Sequence, residues 1–276
     1  RAVCDSTPII RVLEKKVQKR RVVPPDPVMA FIDYLLEDFG DEWCTKYMFH
    51  YRWHHREDAE NAGTLLPLGI DVTLAEDALR IRKEFIRVRQ VERLWVVGSN
   101  ETTAPIIDAS FKRFLKAMDT HLENVPFMLG ARPCSADFAI YGQLTQLVGF
   151  DPTPRQIANK ISPRTVAWTS LMEDQSGLDV EENDWSQFNQ ATKTLRGLLD
   201  EVGRVYIPAL LANSAAISRG EKNWEEEIDG AHWTQPVFNY QAKCLGWIRG
   251  EYAKLSPGDK GLVDNLIAGT GCEAMF

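Results

Sequence analysis

The stretch Leu129-Gly130-Ala131-Arg132-Pro133-Cys134-Ser135-Ala136-Asp137-Phe138 decides how this chain is read. A glycine turn and a proline precede a run that turns apolar and helical to about Val148, so Cys134 to Asp137 is a helix entry. A carboxylate at Asp137 can fold back onto the amides of the turn before the helix. That makes Asp137 a folding element in preference to a catalytic acid or base. Three residues before it, where Ser or Thr is the usual cap, stands Cys134. A thiol is a weak acceptor, so either the cap is weakened or Ser135 substitutes for it.

Upstream of this entry the chain reads as long helices. Asp26 caps and Pro27 opens one that carries Phe31, Leu35, Phe39, Trp43 and Tyr47, with a bend near Gly40. Arg56 to Gly69 is polar and then broken by Gly and Pro, and reads as a loop. Thr73-Leu74-Ala75-Glu76 is spaced as a capping box for a helix running to Gly98, with Ile81, Phe85, Val88 and Trp95 on one stripe. A further helix covers about Ala104 to Glu123. Downstream, helices are expected at Arg164 to Asp174, Thr192 to Ser218 with a kink at Pro208, Pro236 to Lys254 and Pro257 to Ala268. Between them Asp229-Gly230 suits the two-residue turn of a small hairpin.

The 276 residues carry a net charge of -7, which argues against a nucleic-acid partner. No apolar run approaches the roughly 18 residues that span a bilayer, so no membrane partner is expected. The five cysteines are scattered, without a Cys-x-x-Cys pair, as in a reducing compartment; the cytoplasm is the expected location. His54 and His55 lie near Glu57 and Asp58, but adjacent histidines diverge on a helix and no third ligand follows at zinc-like spacing, so no metal is expected.

The N-terminal end carries the second informative feature. Residues 1 to 4 read as a short strand running into a helix over Thr7 to Lys16, and a lone strand leaves its ladder groups unpaired. Its partners are therefore expected upstream, and the chain reads as part of a longer protein. Asp5-Ser6 sits at the strand-to-helix turn, where free amides favour a carboxylate. There Ser6 can hold a carboxylate while Asp5 takes a neighbouring ammonium; the plainer reading is a helix cap. Arg20 to Asp26, with Pro24 and Pro25, reads as a stiff linker.

Taken together, Asp5-Ser6-Thr7-Pro8-Ile9-Ile10 and Leu129 to Phe138 resemble the glutathione transferase family over residues 1 to about 170. The first resembles that family's acidic-Ser turn and the second the capping motif of its central helix. The resemblance implies a mainly α fold: residues 1–21 as a remnant of a thioredoxin-like α/β domain, 22–170 as the all-helical C-terminal domain, and 171–276 as a helical extension with a small β-hairpin. It implies glutathione as co-substrate held by Asp5 and Ser6, a small hydrophobic electrophile, a homodimer, and a thiol-activating residue upstream of this chain. Glutathione recognition would then be split, so this chain alone should bind it poorly. By the same resemblance Tyr47, Tyr51 and His54, on one helical face, are candidates for the electrophile wall; the alternative is that the aromatics pack as core. A non-catalytic binding or assembly module of the same fold is the rival reading.

Overall fold

Around the 129–138 turn, the computed structural model describes residues 4–17 and 19–276. The strand expected over residues 1 to 4 falls outside them apart from Cys4. Over the described residues the chain is mainly helical, with one two-stranded antiparallel sheet. The elements are α1 (Ser6–Lys16), α2 (Pro27–Glu42), α3 (Cys44–His54), α4 (Arg56–Ile70), α5 (Glu76–Val91), α6 (Ala104–Leu122), α7 (Ser135–Leu147), α8 (Pro152–Ile161) and α9 (Pro163–Leu171). Then come α10 (Phe188–Thr194), α11 (Arg196–Glu201), a widened turn over Val202–Tyr206, α12 (Ile207–Ser218), β1 (Asn223–Ile228), β2 (Ala231–Pro236), α13 (Asn239–Ala253) and α14 (Pro257–Ile267).

The α7 entry forms as its residues dictate. Asp137 is fully buried, and its two oxygens accept the Met128 amide at 2.9 Å and the Cys134 amide at 2.8 Å. The Cys134 thiol donates to the same carboxylate at 3.1 Å. Ser135 does not replace it as the cap: its hydroxyl points away, to Asp33 at 2.5 Å. Gly130 has φ +143, and a Cβ there would lie 2.0 Å from the Asp184 carbonyl oxygen. That closeness is used, because Ala131 donates to the Asp184 carbonyl and Ser186 to that of Leu129. The extension is thereby stitched to the turn. The linker is pinned there too, through Ser135 N–H to the Val22 carbonyl and Arg132 to the Arg21 carbonyl.

α2 starts on its expected cap, with Asp26 accepting the Met29 amide at 2.9 Å, and the bend falls at Trp43 between α2 and α3. Buried side chains of α2, α3, α6, α7 and α9 share one core with those of α11, α12, both strands, α13 and α14. Residues 171–276 therefore cover the apolar face of the helical part. Trp224 and Trp233 of the hairpin stack 6.5 Å apart, and Trp233 lies 5.7 Å from Trp43. Asp229 and Gly230 both have positive φ, 51° and 84°, as the tight hairpin turn requires.

Four expectations need correction. Residues 56–70 form a helix, not a loop: Ala59 and Ala62 pack with Trp53, Glu57 and Asp58 favour the first turn, and Pro67, inside the helix near its C-terminal end, forfeits only its own bond to the Gly63 carbonyl. The capping box at Thr73 is absent; Thr73 turns back to Asp71 at 2.7 Å and α5 begins at Glu76. α5 also ends at Val91, short of Gly98, which closes a 3-10 turn over Leu94–Val97 in the left-handed region. The long helix expected over 192–218 is interrupted at Leu195 and again by the widened turn just before Pro208, which has no N–H to close the preceding turn.

Candidate functional site

α1 buries none of its residues. It is tied to α2 and α13 by polar contacts. Thr7 donates to Glu37 at 2.9 Å, Ser6 to Asp41 at 3.3 Å, and Tyr240 of α13 to Asp5 at 2.5 Å. Arg11 pairs with Glu251 at 2.9 Å while its guanidinium sits 5.0 Å from the centre of the Tyr34 ring. Glu14 holds the linker through Arg21 at 3.0 Å and the Val22 amide at 2.8 Å. The sequence-predicted Asp5 and Ser6 thus lie together at the head of α1. Asp5 caps nothing with its side chain and has φ +83, a left-handed conformation that a residue with a Cβ adopts only under constraint.

Because α1 stands on polar struts, it leaves space beneath it. One cleft, about 730 Å³, runs between α1, residues 21–27, α2, the start of α7 and the α13–α14 corner. Arg11, Lys15, Arg21 and Lys254 line it alongside Phe31, Tyr34, Asp33 and Glu37. A smaller one, about 200 Å³, lies under the Asp5 turn against Tyr240, Trp247, Asp38, Asp41 and Glu42. Thr7, Arg11, Tyr34 and Glu251 line both, so the two adjoin.

Carboxylates recur down the side of α2 facing these clefts: Asp33, Glu37 and Asp41 in one row, Asp38 and Glu42 in another. Asp33 is held against the α7 N-terminus, accepting the Ala136 amide at 2.9 Å as well as the Ser135 hydroxyl. Burial nevertheless pushes its carboxyl up to about 7. Burial and then the Asp33 charge push Glu37 to about 7, and burial with Asp38 does the same to Glu42. Asp38 rises to about 6, burial outweighing the donors Tyr206 and Cys244, and Asp41 is raised by burial. This face can exchange protons near neutrality and take up a cation; the larger cleft carries both signs, its Arg11, Arg21 and Lys254 already paired with Glu251 and Glu14, and its Lys15 without an ion-pair partner among the described residues. A ligand carrying both charges fits the pair.

The raised carboxyls carry a pH signature. In the unfolded chain these groups release their protons near 4, so above that the folded state binds more protons and stability falls as pH rises through about 7. His50, His54 and His121 are shifted down by burial and act oppositely, chiefly below their ordinary value of 6.5. Lys46, lowered to about 8, acts chiefly above that. Between pH 6.5 and 8 the carboxyls outweigh the tails of these opposing titrations, and stability should drop by on the order of 1 kcal/mol. Thermal melts should show that drop, and less of it in Asp33→Asn and Glu37→Gln. A midpoint that is flat or rising over this interval would contradict the assignment.

The proposed electrophile wall is not assembled. Tyr47 and Tyr51 are completely buried, packed on Phe111 with ring centres 5.5 and 5.0 Å away. Their hydroxyls are engaged with Ser110 at 2.7 Å and Asp108 at 2.7 Å. They are core residues, since the spacing that suits a wall suits a packed helix equally. His54 is exposed and stacks on His50 with ring centres 4.5 Å apart, away from both clefts. Among the described residues no group of three or more His, Cys, Asp or Glu is placed to hold a metal, and no helix is long and apolar enough to cross a membrane. What the sequence reading missed is the acidic side of α2. Its signal was there in Asp33-Tyr34-Leu35-Leu36-Glu37-Asp38, where carboxylates alternate with core residues on a helix too apolar to leave them in water.

No family model, no curated protein and no solved structure matches this chain.

Proposed function

We propose that the chain is the helical part of a glutathione-transferase-like protein, and that the adjoining clefts beneath α1 are where its ligand lies. The observation that carries this reading is the Asp5-Ser6 turn. It heads a helix at the mouth of the clefts, with Asp5 constrained in the left-handed region and its carboxylate directed toward α13. Glutathione has one ammonium and two carboxylates. The ammonium suits Asp5 and Asp41; the carboxylates suit the Ser6 amide at the α1 N-terminus and the cations of the larger cleft. The capping arrangement of Asp137 supports the same relationship.

In this reading the chain contributes binding and positioning, and the thiol is activated by a residue of a thioredoxin-like half outside these 276 residues. The electrophile lies in the larger cleft, against Phe31 and Tyr34, and not against Tyr47 and Tyr51. Conjugation of glutathione to a chlorodinitrobenzene, followed in a chain that includes the thioredoxin-like half, tests the reaction. Turnover that falls in Arg11→Ala, which lines both clefts, supports it. Glutathione binding without turnover on any soft electrophile would favour the non-catalytic module.

A further inference from the structure

α5 is a helix with no buried residue, yet it is patterned for burial. At 100° per residue, Ala78, Ile81, Phe85 and Val88 fall on one face, spaced 3, 4 and 3 apart, which is the a-d-a-d sequence of a heptad repeat. Ile81 is 65% exposed, Phe85 67% and Val88 38%. The opposite side of the helix is the one that packs. Lys83 and Arg87 approach Gly63 of α4 and pair with Glu60. Exposed Ile70, Val72 and Trp95 flank the two ends of the bare face.

The flanks of that face are sorted by charge. Asp77 and Glu84 occupy the g positions on one side, Arg82 and Arg89 the e positions on the other. Two such helices side by side in the same direction place each g residue opposite the partner's e residue five positions on. Asp77 then meets the partner's Arg82, and Glu84 the partner's Arg89. Run antiparallel, the same helices would set acid against acid and base against base. Asp77 and Glu84 have local partners in Arg80 and Arg87, at 3.3 and 2.8 Å. Among the described residues Arg82 and Arg89 have no ion-pair partner.

We propose that the chain pairs with a second copy of itself through α5, the two helices running parallel about a two-fold axis along their Ile81-Phe85-Val88 faces. The seam is only two heptads long, so association is weak and concentration-dependent, and added salt weakens it further. Sedimentation equilibrium on the whole chain over a concentration series decides the matter. The wild type should approach twice the chain mass. R82E/R89E, with acid on both flanks, should stay at the monomer mass while keeping its helical circular dichroism. Adding D77R and E84R to that variant exchanges the two flanks and should restore the dimer. A wild type that remains monomeric throughout, an R82E/R89E variant that associates like the wild type, or a fourfold variant that stays monomeric would each overturn the proposal. The last outcome would also show that the face serves a different partner or orientation.

Discussion

Replacing Arg52 with alanine should destabilise the protein by about 3–5 kcal/mol at pH 8, and by clearly less at pH 5. Arg52 grips Asp151 with two nitrogens, Nε at 3.0 and 3.1 Å and Nη2 at 2.9 Å, and reaches Gln146 at 2.9 Å. Both charged groups are buried, so the pair ties α3 to the corner between α7 and α8 out of contact with water. Truncating Arg52 leaves a buried carboxylate without its counter-charge. Burial already outweighs the pull of Arg52 and holds the Asp151 carboxyl up at about 6. As pH falls through that value Asp151 takes a proton in the wild type as well, the pair loses its charge attraction, and wild type and variant converge. A double variant, Arg52→Met with Asp151→Asn, should lose less than Arg52→Ala because no charge is left unpaired. Chemical denaturation at the two pH values gives the comparison. An R52A deficit under 1 kcal/mol at pH 8, or one that grows on acidification, would show that the pair is not the tie described.

Asp137→Ala should cost about 2–4 kcal/mol. It leaves two buried amides, Met128 and Cys134, without an acceptor, and an unsatisfied buried donor costs roughly 1–3 kcal/mol each. Part of that is offset, because the carboxyl is itself raised to about 6 by burial and its desolvation is relieved on removal. Asp137→Asn keeps one acceptor and should fall between the two. A Lys112 substitution, on the exposed side of α6, serves as a control for general perturbation. The turn also anchors residues 184–186 and the linker, so Asp137→Ala should loosen both. Amide exchange at Ala131 and Ser186 reports that directly. A melting midpoint within 1 °C of the wild type would reject the capping role.

How far the sequence could be read follows from which interactions are local. The α7 entry, the Asp26 cap and the Asp229-Gly230 turn are set by residues within ten positions of one another, and each forms as read. α4 was missed for a non-local reason. Gly63, Pro67 and Gly69 look like breakers along the chain, yet a Cβ at Gly63 would lie 3.1 Å from the Lys83 side chain of α5, so the small residue serves helix packing. The same limit governs the site. Helical spacing places Tyr47, Tyr51 and His54 on related faces but carries no information on what lies opposite. Phe111, 60 residues or more away, fills the space in front of Tyr47 and Tyr51. The acidic side of α2 lines a cleft because α1, α13 and α14 leave it uncovered, and that depends on elements more than 200 residues apart.

The most direct measurement of the account is calorimetric titration with glutathione, on this chain and on a chain that includes the thioredoxin-like half, each with Asp5→Ala and Ser6→Ala. If, as proposed, Asp5 and Ser6 supply partners to the charged groups of glutathione, such hydrogen bonds are worth about 1.5–3 kcal/mol, so each substitution should weaken binding to the longer chain roughly tenfold or more. This chain alone should bind weakly, since the cysteinyl and glycyl ends would lack the rest of their site. Equal affinity in the two chains, or wild-type affinity in both variants of the longer one, would mean that the turn is only the head of a helix and that the clefts beneath α1 serve another ligand.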